Sequence, residues 1–113
     1  MIVPLGRLRQ ILGVNISVTD ETLTEVALAA EGMIVPLLKT EDALGEVIDY
    51  TLVPQVVEGI TNAAVEVFRF RKAPGGQFSA LDMTPQPFAM GRYFVDKYAS
   101  FFVGYLNPKG LIG

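Results

Sequence analysis

The stretch PQVVEGITNAAVEVFRFRKAPGG, residues 54–76, carries the plainest structural statement in the chain. Pro54 opens it, and a proline at a first helical position leaves no N–H unpaired and has a φ already suited to a helix. Val57, Ile60, Ala64, Val67, Phe68 and Arg71 follow at helical spacing and share one side. Gly59, Ala63 and Ala64 are small enough to let a neighbouring helix come close. The segment ends in FRFRK, residues 68–72, whose cations suit the negative end of a helix dipole. Pro74, Gly75 and Gly76 then stop the helix.

The segments on either side also read as helical. Pro4 fits a first helical position, Leu5, Leu8, Ile11 and Leu12 repeat at helical spacing, and Gly13 suits a left-handed C-terminal cap. In SVTDETLTEV, residues 17–26, Thr19 is the expected N-cap, with Asp20 and Glu21 in the first turn. Leu23, Val26, Ala27, Ala30, Met33, Ile34 and Leu37 make its apolar stripe, which Pro36 interrupts by pressing on the carbonyl of Gly32. Residues 39–52, KTEDALGEVIDYTL, read as an acidic connection with at most one helical turn. After the long segment 73–87, a fourth helix is expected over Phe88–Leu106. Its aromatic face comprises Met90, Tyr93, Phe94, Tyr98, Phe101, Phe102 and Tyr105. NPKG makes a turn, and the tail 107–113 ends in apolar LIG.

The expected fold is therefore all-α: one domain over 1–113, a small bundle of about four helices with a long Gly/Pro-containing loop before the last. No repeat of solenoid length is present. No apolar run is long enough to cross a bilayer, and MIVPLGRLRQ lacks the layout of a secretory signal, so a soluble protein made in the cytosol is expected.

Composition narrows the chemistry. With 113 residues, half of them hydrophobic, and a mean hydropathy of +0.39, the chain offers more apolar surface than one small core hides. A subunit of a larger assembly resolves that excess. There is no Cys and no His, which removes thiol and imidazole chemistry and most zinc sites. There is no phosphate-binding loop and no nucleophile elbow, and the adjacent acids Asp20/Glu21 and Glu41/Asp42 point apart on a helix. Acids in KTEDALGEVID lack EF-hand spacing. Neither an enzymatic activity nor a cofactor or metal is expected. Charge is uneven: residues 1–50 hold three bases against eight acids (−5), and residues 51–113 hold six bases against four acids (+2). Such asymmetry suits head-to-tail contact between copies.

In sequence order there is a capped helix TDETLTEVALAAEGMI (19–34), an acidic connection, the helix at 54–76, a loop, and a last aromatic helix ending in NPKGLIG (107–113). This arrangement resembles the head–tail connector (adaptor) proteins of long-tailed bacteriophages, from Thr19 to the end. The resemblance implies a mostly helical subunit and a homo-oligomeric ring, usually dodecameric, beneath the portal protein. That ring extends the DNA channel, meets a stopper or tail-completion protein, and has no catalytic or membrane role. It also implies residence at the head–tail interface of the virion, after assembly in the host cytoplasm, and non-specific contact with channel DNA.

The residues expected at interfaces are Arg69, Phe70, Arg71 and Lys72 at the basic helix end, Phe78, Leu81 and Met83 as loop anchors, Phe102 and Tyr105 from the aromatic surplus, and Leu111 and Ile112 in the tail. Ordering a loop costs roughly 1–2 kcal/mol per residue, while three buried anchors return about 1.5–3 kcal/mol each, so such a docking arm is stable only where many contacts act together. The alternative reading is a cytosolic helical regulatory or DNA-binding module that uses residues 69–72. The net charge of −3 argues against a dedicated DNA binder.

Overall fold

Helix α3, Pro54–Arg71, and the helix Asp20–Ile34 pack on each other, and the remaining elements rest on this pair. The structure is a computed structural model that describes residues 1–13, 18–71 and 87–107, with backbone alone at residues 71 and 87–89. Four further helices are described: α1 Leu5–Leu12, α2 Asp20–Ile34, α4 Pro87–Lys97 and the single turn α5 Ala99–Phe102. Two 3-10 turns, Val35–Leu37 and Tyr50–Leu52, lie between α2 and α3. The described chain is all-α, with no strand.

Helix ends follow local chemistry. The Thr19 side chain accepts from the Thr22 N–H at 3.2 Å and caps α2, with Asp20 and Glu21 in its first turn. Gly13 closes α1 at φ 64°, donating to the carbonyls of Arg9 and Gln10. Pro4 lies one residue outside α1, as an extended N-cap whose carbonyl accepts from the Leu8 N–H. Pro36 ends α2 rather than kinking it: the helix stops at Ile34 and tightens into the Val35–Leu37 turn.

The core joins α2 to α3. Leu23, Val26, Ala27, Ala30 and Ile34 meet Val56, Ile60, Ala63, Ala64 and Val67, all fully buried. The α3 stripe is buried as expected at Ile60, Ala64, Val67 and Phe68, and differs at its start, where Val56 is buried and Val57 only half-buried. The small residues serve as expected at Gly59, where an added Cβ would lie 2.7 Å from Phe101 Cβ and 2.8 Å from Phe102 Cζ. Gly91 is a second close approach: a Cβ there would lie 2.0 Å from the Met33 carbonyl oxygen at the end of α2.

The expected continuous fourth helix is not formed. Helix α4 ends at Lys97, Tyr98 takes φ −110° and ψ 34°, and α5 lasts one turn. Two tertiary demands break it. Phe101 and Phe102 seat against Gly59, and residues 105–107 lie extended beside residues 37–39. There the Lys39 N–H donates to the Tyr105 carbonyl at 2.8 Å and the Asn107 N–H to the Leu37 carbonyl at 2.9 Å. Backbone paired in that way cannot continue a helix to Leu106. From Tyr98, which meets α3 at Glu66, to Phe101 and Phe102, which meet it at Gly59, the chain runs antiparallel to α3, while α4 packs on α2 with Gly91 against Met33.

Candidate interaction surfaces

The acidic connection is an ordered arm. Residues 39–49 double back on themselves, with Glu41 and Val47 as an antiparallel bridge. The Asp42 N–H donates to the Glu46 carbonyl at 2.9 Å, and the Ile48 N–H to that of Thr40 at 3.0 Å. At the tip one Asp42 carboxylate oxygen accepts from the Leu44 and Glu46 N–H groups, at 2.8 and 3.0 Å. Gly45 makes the turn at φ 81°, a conformation that costs a side-chain-bearing residue dearly. The base is clamped: the Tyr50 hydroxyl donates to the Lys39 carbonyl at 2.7 Å, and the Tyr50 ring meets Tyr105 edge-on at 5.8 Å. Burial, and then Tyr105, push the Tyr50 phenol upward, while hydrogen bonds from the Thr51 side chain and backbone hold the Asp49 carboxyl below its usual range.

This arm projects apolar side chains into solvent. Leu44 is 84% exposed and Val47 81% exposed, amid exposed Glu41, Asp42, Glu46 and Asp49. Leu52 and Val103, 76% and 67% exposed, belong to the same end of the molecule. The Gln55 side chain ties that end together by donating to the carbonyls of Phe101 and Val103 at 3.2 and 3.1 Å. A hollow of about 400 Å³ lies between the arm and the turn after α5, lined by Lys39, Glu41, Asp42, Ile48, Gly104 and Tyr105.

Arg69 is exposed near the end of α3, and Arg92 and the partly exposed Tyr93 lie on α4, with Phe70 and Met90 half-buried. A polar clasp around Glu66 joins α3 to the chain from Tyr93 to Tyr98. One oxygen of Glu66 accepts from the Tyr98 hydroxyl at 2.5 Å. The other accepts from the Tyr93 hydroxyl at 3.0 Å and pairs with Lys97 Nζ at 3.1 Å. Lys97 also stands 5.7 Å from the centroids of both tyrosine rings, within cation–π range. Burial, and then Glu66, push the Tyr98 phenol up to about 12, and the Glu66 bond raises Lys97.

The residues expected at interfaces divide three ways. Arg69 is exposed and Phe70 is half-buried against the core. Phe102 is 0% exposed, and it fills the core over Gly59 instead of facing another chain. Tyr105 is half-buried and engaged by Tyr50, so its ring also has an intramolecular partner. The Arg71 side chain, Lys72, Phe78, Leu81, Met83, Leu111 and Ile112 lie outside the described residues. Sequence reasoning passed over Leu44, Val47, Leu52 and Val103. For Leu44 and Val47 the available signal was Asp42 followed by Gly45, residues that favour a turn.

Among the described residues no helix is long and apolar enough to cross a membrane, and no group of acids is arranged to hold a metal ion. Comparison of the chain with protein-family models, curated proteins and solved structures gives no match.

Proposed function

We propose that this chain is a structural subunit of a phage-type head–tail connector. Copies would form a ring under a portal, extend the DNA channel and present a surface to the stopper or tail-completion protein. One observation supports this most: four large apolar residues, Leu44, Val47, Leu52 and Val103, are 67–84% exposed at one end of an ordered helical subunit. Leaving that much apolar surface in water is unfavourable at about 25 cal/mol per Å², and protein contact removes the cost. The charge difference between residues 1–50 and 51–113 supports contact with further copies. The order of helices supports the connector resemblance over Thr19 to the end.

The test is removal of the protein from an assembling particle. Capsids that package DNA but lose it and stay tailless, and that regain tails when the purified chain is added, support the reading. Capsids that keep DNA and attach tails normally without it overturn the reading. A gel-shift series across salt concentrations tests the DNA-binding alternative, which requires binding at physiological salt with a steep salt slope.

A further inference from the structure

We infer that the arm 39–49 holds an open strand position beside Glu41, and that this position takes an extended, cationic segment of a different protein. Backbone geometry carries it, independently of the connector reading.

The position follows from alternation along residues 37–42. In an extended chain, successive residues turn their N–H and C=O groups to opposite sides. The Leu37 carbonyl and the Lys39 N–H face residues 105–107, where they bond Asn107 and Tyr105. Thr40 and Asp42 face the other way, toward Ile48 and Glu46. Glu41 therefore faces the same side as Lys39, but the extended residues 105–107 do not reach it. Their ladder ends at Tyr105, whose own N–H turns back to the Phe102 carbonyl at 2.9 Å. Residues 102–105 make a type II turn there, with Val103 at φ −56° and ψ 128° and Gly104 at φ 87°. The Tyr50 hydroxyl takes the Lys39 carbonyl that a continuing ladder would have used. Among the described residues, the Glu41 N–H and C=O have no partner. The hollow of about 400 Å³ lies at this place, between Glu41 and Ala43 on the arm and Gly104 and Tyr105 on the turn.

An unpaired edge of this kind is a template for another chain. An extended segment in the hollow would exchange backbone bonds with Glu41 and set an alternate side chain against Ile48 and Tyr105 in the lining. Charge defines the segment. The arm carries Glu41, Asp42, Glu46 and Asp49 against Lys39, a net −3, and all five are exposed. The Glu41 and Glu46 carboxylates have no hydrogen-bond or ion-pair partner among the described residues. Lysine or arginine alternating with apolar residues matches both the acids and the hollow. Leu44 and Val47, 84% and 81% exposed on a backbone that Asp42 fixes, offer apolar surface to the rest of the partner. Because the arm is already ordered, docking costs it little conformational freedom.

The test reads the Glu41 amide directly. A short peptide alternating lysine with valine, titrated into the purified full chain, should slow hydrogen exchange at Glu41 at least about tenfold. It should also shift the amide signals of Ile48, Gly104 and Tyr105, and bind more weakly as salt rises. The same peptide N-methylated along its backbone keeps its charge but loses its N–H donors, and should bind at least about tenfold more weakly. A peptide with glutamate in place of lysine should not bind. Glu41→Lys/Glu46→Lys changes two exposed, unpartnered side chains and should reverse the preference between the lysine and glutamate peptides. No protection of Glu41 at millimolar lysine–valine peptide in low salt, or equal binding of the three peptides, overturns the inference. Glu41 protection that grows with protein concentration in the absence of peptide means that a second copy fills the position. Protection without peptide that disappears when residues 108–113 are deleted means that the chain's own tail fills it. Either of these also overturns the inference. Peptide binding at Glu41 together with normal tail attachment in particles lacking the chain would overturn the connector reading alone.

Discussion

The Tyr98 hydroxyl, at the break between α4 and α5, donates to the Glu66 carboxylate in the middle of α3 across 2.5 Å. Glu66 also holds Tyr93 and Lys97, so this carboxylate fixes the direction in which the second half of the molecule lies on the first. Removing the hydroxyl with Tyr98→Phe should cost about 1.5–3 kcal/mol, the usual range for a bond to a charged partner. Urea unfolding at neutral pH measures it.

The same bond has an alkaline signature. The Tyr98 phenol is raised to about 12 in the fold, above its ordinary value of 10.0, so its neutral form is favoured there. Its contribution is fully present below pH 10 and is lost as pH rises toward 12. Wild type should therefore lose stability over that window more steeply than Tyr98→Phe. Tyr50 is also raised and acts in the same sense in both proteins. Denaturant midpoints from pH 9 to 12 make the comparison, and parallel curves would count against the Glu66 clasp.

Glycine substitutions should separate by contact. A Cβ at Gly91 meets the Met33 carbonyl oxygen at 2.0 Å, and backbone yields poorly, so Gly91→Ala should cost 3 kcal/mol or more, on the order of the upper range for overpacking. Gly32, exposed in α2, has nothing within 4 Å of its Cβ position. Gly32→Ala should stabilise by about 0.4–1 kcal/mol, because alanine loses less freedom in a helix. Thermal unfolding of the pair reads both signs.

Glu31 is 8% exposed, and its Oε1 accepts from the Ile2 N–H while Oε2 has no partner. A buried carboxylate satisfied on one side carries a desolvation cost that a neutral amide escapes. Glu31→Gln keeps an acceptor for Ile2 and should be neutral or stabilising by about 1 kcal/mol. Glu31→Ala strands the Ile2 N–H and should destabilise by about 1–3 kcal/mol. Chemical denaturation of both variants tests the ordering.

The arm should melt on its own. Asp42→Ala removes the acceptor for the Leu44 and Glu46 N–H groups, but both lie in exposed structure. Hydrogen exchange at those two amides should accelerate at least tenfold, with global stability changed by about 0.5 kcal/mol or less. A large global loss would show that the arm is part of the core.

Much of the fold was legible locally. Thr19, Gly13, Pro36 and Pro54 mark helix ends because each acts through its own backbone within one turn. The α2 stripe and most of the α3 stripe follow from helical spacing, since burying one face is what stabilises such a helix. The interaction surfaces were less legible. Phe102 and Leu44 are both large and apolar, yet one is sealed over Gly59 and the other stands in solvent. Nothing in residue type separates them.

By itself, then, the sequence determined the helical class, the caps and the absence of thiol and imidazole chemistry, all properties of neighbouring residues or of composition. Tertiary structure alone decided that the last helix breaks at Tyr98, that residues 105–107 lie beside 37–39, and that Gly91 must be bare. It also decided that the acidic connection stands out as an arm with Leu44 and Val47 at its tip. The physical reason is that these features depend on which distant backbone and side chains arrive at the same place. Helical periodicity carries no information about that.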